Sequence, residues 1–185
     1  MRLSPIVATG LATFLVAGVA LGDTGIPPAN APLPVIAKEF LKEIAESKAR
    51  PIAVKCVTFP SEAAHGVLVL GRTSLRGNVM SLSKRWVCEP LATLWRSSPT
   101  FTGNMHPTVS LLSVLALDAL AHEWFHTRGV SVEERTECHA VQSTWKYLRR
   151  SLYSPTQLGR ARRFLLSDSW RPAAYKIPSN CLGPT

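Results

Sequence analysis

The chain contains no CxxC pair, no internal repeat and no long run of like charge. Each absence removes a class of protein. Without CxxC spacing, the four cysteines (Cys56, Cys88, Cys138 and Cys181) are poor zinc ligands. Without a charge run, the basic excess of 21 Lys and Arg over 12 Asp and Glu marks out no nucleic-acid stripe, and no nucleic-acid partner is expected. A net charge of +9 suits a well-solvated surface; its functional reading is attraction to an anionic cell-envelope surface. Without a pattern of four long helices, a carboxylate-bridged di-iron centre is not expected.

The longest apolar stretch, Ile6 to Leu21, falls short of the ~20 residues that span a bilayer. Met1 and Arg2 precede it, and Ala20 and Gly22 stand at the minus-three and minus-one positions before Asp23. Residues 1–22 therefore read as a signal peptide, and the mature chain as secreted or extracytoplasmic with no stable membrane span. No cysteine lies near the cleavage point, which argues against a lipid anchor. Four cysteines in an exported chain predict two disulfides, with three pairings open.

Residues 23–34 hold four prolines and read as an extended linker, leaving 35–185 as one domain with a core of its own. Ile36, Phe40 and Ile44 recur every four residues and predict a first helix over about 34–47. Val- and Ile-rich segments at 52–59, 66–70 and 79–82 predict a small three-stranded sheet, with a turn at Gly77–Asn78. A helix is expected within 83–95, limited by Pro90, and a loop over 97–107. The stretch 107–126 is apolar on most sides and suits a buried central helix. Gly129 stands where a left-handed helix cap belongs, and Ser131 with Glu134 reads as a capping box for a helix reaching about Tyr153. Ser154, Pro155 and Gln157 start a last helix, expected to end near Trp170. The fold class is α+β.

The chemistry sits in His122-Glu123-Trp124-Phe125-His126, an HExxH motif. Residues four apart share a helical face, so both imidazoles can reach one ion. Zinc accepts neutral imidazole, and a catalytic site takes three protein ligands plus water. Glu123, offset by one residue, can act on that water as general base without binding the metal. A buried, unpaired Glu123 would cost several kcal/mol, roughly that of an uncompensated charge. The Gly129–Val130 turn sets His126 opposite Glu133 and His122 opposite Glu137. Glu133 is read as the third ligand and Glu137 as acceptor for the other ring nitrogen of His122; the reverse assignment stays open. The cofactor expected is one Zn2+.

HExxH followed by Glu133 and, four residues later, Glu137 resembles the gluzincin metalloproteases, whose second helix carries Glu-x-x-x-Asp; here Glu137 stands in place of the Asp. The compact arrangement resembles minimal gluzincins, and the block AHEWFHTRGVSVEERTECHAVQ, with Cys88 and Cys181, looks like a group of secreted bacterial zincin-like proteins. The resemblance implies a zincin-like fold and a secreted zinc metallopeptidase acting on a peptide or protein substrate. The alternative is a non-catalytic extracellular envelope protein braced by structural zinc, which would close the site with four ligands. Tyr147, Tyr153, Tyr175, His65 and His106 are candidates to stabilise an oxyanion, none placed by spacing. His139 should point away from the metal, and the arginines at 149, 150, 160, 162 and 163 read as a solvated face.

Overall fold

The computed structural model describes residues 28–45, 52–59, 69–74, 78–98, 109–151, 153–171, 173–178 and 180–182. The signal peptide, most of the linker, His65 and His106 lie outside them. Within them the protein is mixed α+β, with five α-helices and a three-stranded sheet.

Helix α1 (Leu33–Ala45) buries Ile36, Ala37, Phe40, Leu41 and Ile44, one face of the expected four-residue repeat. Phe40 meets Trp95 and Tyr147 edge-on, at 5.5 and 5.7 Å between centroids. Strands β1 (Ala53–Val57), β2 (Gly71–Ser74) and β3 (Val79–Ser83) form a sheet in the order β1-β3-β2. β1 runs parallel to β3, and β2 antiparallel to it. The second strand differs from the one expected at 66–70. Residues 69 and 70 are not strand, residues 66–68 lie outside the described part, and the pairing falls on Gly71–Ser74. That segment is polar and only half buried, so apolar content could not reveal it.

Register decides what β2 presents to the core. Val54, Met80 and Thr73 share one row across the sheet, and Cys56, Leu82 and Gly71 another. Val54, Met80 and Leu82 are buried against the helices. Thr73 and Gly71 therefore face the same way, because side chains on a strand alternate.

After β3 the chain enters a π-helical turn, Lys84–Cys88, which runs directly into α2 (Glu89–Arg96). The amide of Glu89 reaches back five residues to Lys84 O. Pro90 explains the wider turn, since it has no N–H to offer and its ring crowds the carbonyl four residues earlier.

Helix α3 (Leu111–Thr127) is buried almost throughout from Ser113 to Trp124. It starts later than 107 because Ser110 caps it, accepting from the amide of Ser113 at 3.0 Å. It touches β2, β3, α1, α2, α4 and α5 and forms the centre of the fold. A Schellman turn ends it: Gly129 has φ 85°, its amide donates to His126 O, and that of Val130 to Phe125 O.

Helix α4 (Glu133–Arg150) follows. The expected capping box of Ser131 and Glu134 does not form; Val132 is the N-cap and contributes no side-chain bond. Its first helical bond runs from Thr136 N to Val132 O, which leaves Ser131 one residue too early to serve. The Thr136 hydroxyl pins the connection instead, donating toward Val130 O and Val132 O. Helix α5 (Pro155–Leu165) has the expected capping box of Ser154 and Gln157. It stops well short of Trp170, because Ser167 turns its hydroxyl onto the amide of Ser169 and diverts the backbone. The disulfides are Cys56–Cys88, joining β1 to the π turn, and Cys138–Cys181, joining α4 to the C-terminal strap.

Candidate metal centre

Asp118, His122 and His126 lie at four-residue intervals along α3, and Glu133 and Glu137 at the same interval along α4. The Schellman turn reverses the chain so tightly that the two rows face each other. His122 Nε2 and His126 Nε2 are 2.9 Å apart, and Glu133 Oε2 lies 3.0 and 3.4 Å from them. These three atoms could hold a metal ion. Glu137 is on the far side of the His122 ring, its Oε2 2.8 Å from Nδ1.

The hydrogen bonds around the imidazoles decide which nitrogen carries the proton. His122 Nδ1 faces a carboxylate and His126 Nδ1 faces Val130 O at 2.8 Å. Both partners only accept, so both rings carry hydrogen on Nδ1 and turn a lone pair outward from Nε2. Glu133 Oε2 is buried, adds further lone pairs and accepts no hydrogen bond. Three potential ligand atoms thus converge within 3.4 Å of one another, an arrangement that a cation relieves. Among the described residues no other group of three such side chains comes together.

Burial opposes charge on His122, yet the hydrogen bond and charge of Glu137, helped by Glu123 and Glu133, lift its pKa above the ordinary imidazole value. A cation at Nε2 competes directly with the proton that these carboxylates attract. Burial likewise raises Glu123, partly offset by the hydroxyl of Thr73 and the two histidines. Glu137 would rise on burial, but its bonds to His122 and Arg171 outweigh that and hold it below the usual carboxylate value.

Glu123 points out of the ligand row toward β2. Thr73 Oγ1 donates to Glu123 Oε2 at 2.6 Å. Gly71 comes so close that a side chain there would collide with Glu123. Glu123, the three cluster residues, Gly71–Thr73, Gly129–Ser131 and Tyr175 line one cleft of about 470 Å³.

Of the other candidates that lie among the described residues, only Tyr175 reaches this cleft, its ring 5.4 Å from that of His122. Burial and the charges of Glu133, Glu123 and Glu137 raise its pKa, so its phenol stays protonated. Tyr147 and Tyr153 are packed away from the cleft; burial pushes Tyr147 up to about 12. His139 stacks on Phe125 at 5.0 Å, off the metal row.

Gly71 and Thr73 went unnoticed in the sequence, and so did two residues behind the ligand row. Arg171 and Asp118 are both buried beneath the site, and Arg171 binds Glu137 Oε1 and Asp118 Oδ2. Asp118 left a trace, since it is the only charge between Leu111 and Ala121 and precedes His122 by four. Burial first, then the charge of Glu137, pushes Asp118 well above the carboxylate range, against the pull of Arg171. Arg171, in an irregular tail, carried no periodic signal.

No protein-family profile, no curated protein and no solved structure matches this chain.

Proposed function

We propose that this protein is a secreted zinc-dependent hydrolase, a minimal gluzincin-like metallopeptidase with His122, His126 and Glu133 as ligands and Glu123 as general base. One observation carries the reading: three ligand-capable atoms, His122 Nε2, His126 Nε2 and Glu133 Oε2, converge beside a cleft into which an adjacent carboxylate, Glu123, also faces. Donors bound at 2.0–2.2 Å to one tetrahedral ion stand about 3.3 Å apart, and the observed 2.9, 3.0 and 3.4 Å approach that spacing. The two disulfides, and the absence among the described residues of any helix long and apolar enough to cross a membrane, are compatible with an extracytoplasmic setting.

When bound, zinc polarises a carbonyl and makes water more acidic. The chain's own residues do the rest. Glu137 and Val130 O keep the imidazole protons on Nδ1. Glu123, steadied by Thr73, takes a proton from water in the cleft and hands it to the leaving amine. The phenol of Tyr175 is available to donate to the developing oxyanion. Strand β2 is an edge strand, paired only with β3 among the described residues, and its Gly71–Thr73 backbone borders the cleft. An extended peptide could add to such an edge by main-chain hydrogen bonds.

The competing reading, a closed structural zinc, needs Glu137 as fourth ligand. Both oxygens of Glu137 are already engaged, by His122 Nδ1 and Arg171 Nε, which favours the open site. Elemental analysis of the purified mature domain tests the proposal. About one zinc per chain is expected after reconstitution at neutral pH; His122→Ala should lose it, and Glu123→Gln should keep it while abolishing peptide hydrolysis. A wild-type protein that takes up no zinc would overturn the reading.

A further inference from the structure

We infer that Arg171 is a positioning residue, which holds His122 in its metal-binding form by acting through Glu137. The inference rests on reading the His122, His126 and Glu133 cluster as a metal site, and it concerns a residue that touches neither metal nor substrate.

The guanidinium of Arg171 is wholly buried and cannot turn. Its Nε donates to Glu137 Oε1, one terminal nitrogen to Asp118 Oδ2 at 3.2 Å, and the other to Ser167 O at 2.8 Å. Its central carbon lies 3.9 Å from the ring centre of Trp170, which itself stacks on Phe164 at 5.1 Å. Three acceptors in three directions and an aromatic floor define one orientation, which a planar five-donor group can satisfy and an ammonium cannot.

Glu137 inherits that orientation. With Oε1 held by Arg171, Oε2 stays on His122 Nδ1 and acts only as acceptor. The His122 proton must then sit on Nδ1, and Nε2 offers its lone pair to the cluster. Without Arg171 the carboxyl group loses the donor that fixes Oε1 and can turn about its last bonds, and the imidazole proton is free to occupy either nitrogen. A proton on Nε2 would point at His126 Nε2, 2.9 Å away, and block the cation's position. Asp118 Oδ2 gives the guanidinium a further acceptor that keeps it in place.

Long-range ¹H–¹⁵N spectra of the metal-free, disulfide-intact protein report which ring nitrogen of His122 is protonated. Nδ1–H is expected in the wild type. The double variant Asp118→Asn, Arg171→Met removes the guanidinium together with the Asp118 carboxylate it binds, and amide spectra would show that the fold persists. In it, His122 should populate Nε2–H, and zinc affinity measured against a competing chelator should fall about 10- to 100-fold. Arg171→Lys should recover part of the loss, and Asp118→Asn alone should keep Nδ1–H because Arg171 still holds Glu137. A folded double variant with His122 still on Nδ1 and unaltered affinity would overturn the inference, as would loss of Nδ1–H in Asp118→Asn alone. If the wild type binds no zinc at all, the metal reading fails, while the tautomer comparison still decides the part played by Arg171.

Discussion

Gly71 lies so close to Glu123 that a methyl group on its α-carbon would sit 2.5 Å from Glu123 Cγ and 2.8 Å from Cδ. The glycine is required by close approach, not by an unusual backbone angle. Gly71→Ala must push the Glu123 side chain aside while leaving the ligand row untouched. Zinc affinity should be unchanged within about twofold, and hydrolysis should drop about 100-fold, the usual effect of displacing a reacting group by an ångström. Parallel zinc titration and peptide-cleavage assays check this; equal losses in both would show that Gly71 supports the whole site.

Thr73 donates to the carboxylate that must be ionised to act as base. Burial raises the pKa of Glu123, and this hydrogen bond lowers it. Thr73→Val keeps the shape and removes the donor, so the pKa should rise further. The base is active only when deprotonated, so the acidic limb of kcat/KM against pH should move to higher pH. A limb that stays put, or moves to lower pH, would detach Thr73 from the base.

Glu133 and Glu137 should respond differently to truncation. Glu133 Oε2 belongs to the converging donors, whereas Glu137 sits behind the His122 ring. Glu137→Ala should weaken zinc binding about 10- to 100-fold, and Glu133→Ala by more than about 100-fold. Glu133→Asp should also weaken it, because the shorter arm cannot span the hairpin, and Glu137→Asp should be close to neutral. Chelator competition on the four variants settles the order, and the reverse ranking would exchange the two roles.

The Cys138–Cys181 bridge starts one residue after Glu137 and ties down the strap that carries Arg171 and Tyr175. Its cysteines are 43 residues apart, so replacing both by serine should cost about 2–4 kcal/mol in unfolding free energy. Chemical denaturation measures that loss. Zinc affinity should fall with it, because the strap is anchored to α4 by this bridge and by Gln142 donating to Cys181 O at 2.7 Å. Thiol counting on the denatured, unreduced wild type should find no free cysteine.

Local order determined much of what could be read directly. Four-residue spacing put His122 with His126 and Glu133 with Glu137, since helical geometry needs only neighbours in sequence. The single glycine at 129 located the hairpin, because a left-handed residue is what reverses a helix in so few positions. Ser154 with Gln157 marked a helix start for the same local reason. Ser131 and Glu134 misled because a cap works only at one position, and the tight turn before it moved that position on by one residue.

Tertiary structure alone decided the rest. Gly71 and Thr73 belong to a polar edge strand, and their meeting with Glu123 depends on the register of β2 against β3. The cysteine pairing, the arrival of Tyr175 beside His122 and the salt bridges of Arg171 all depend on where the C-terminal strap crosses α4. Periodicity records which face of an element is buried. It holds nothing about which distant segment covers that face, because that choice is made by packing across the whole core, where loop closure costs little and each contact is worth little by itself.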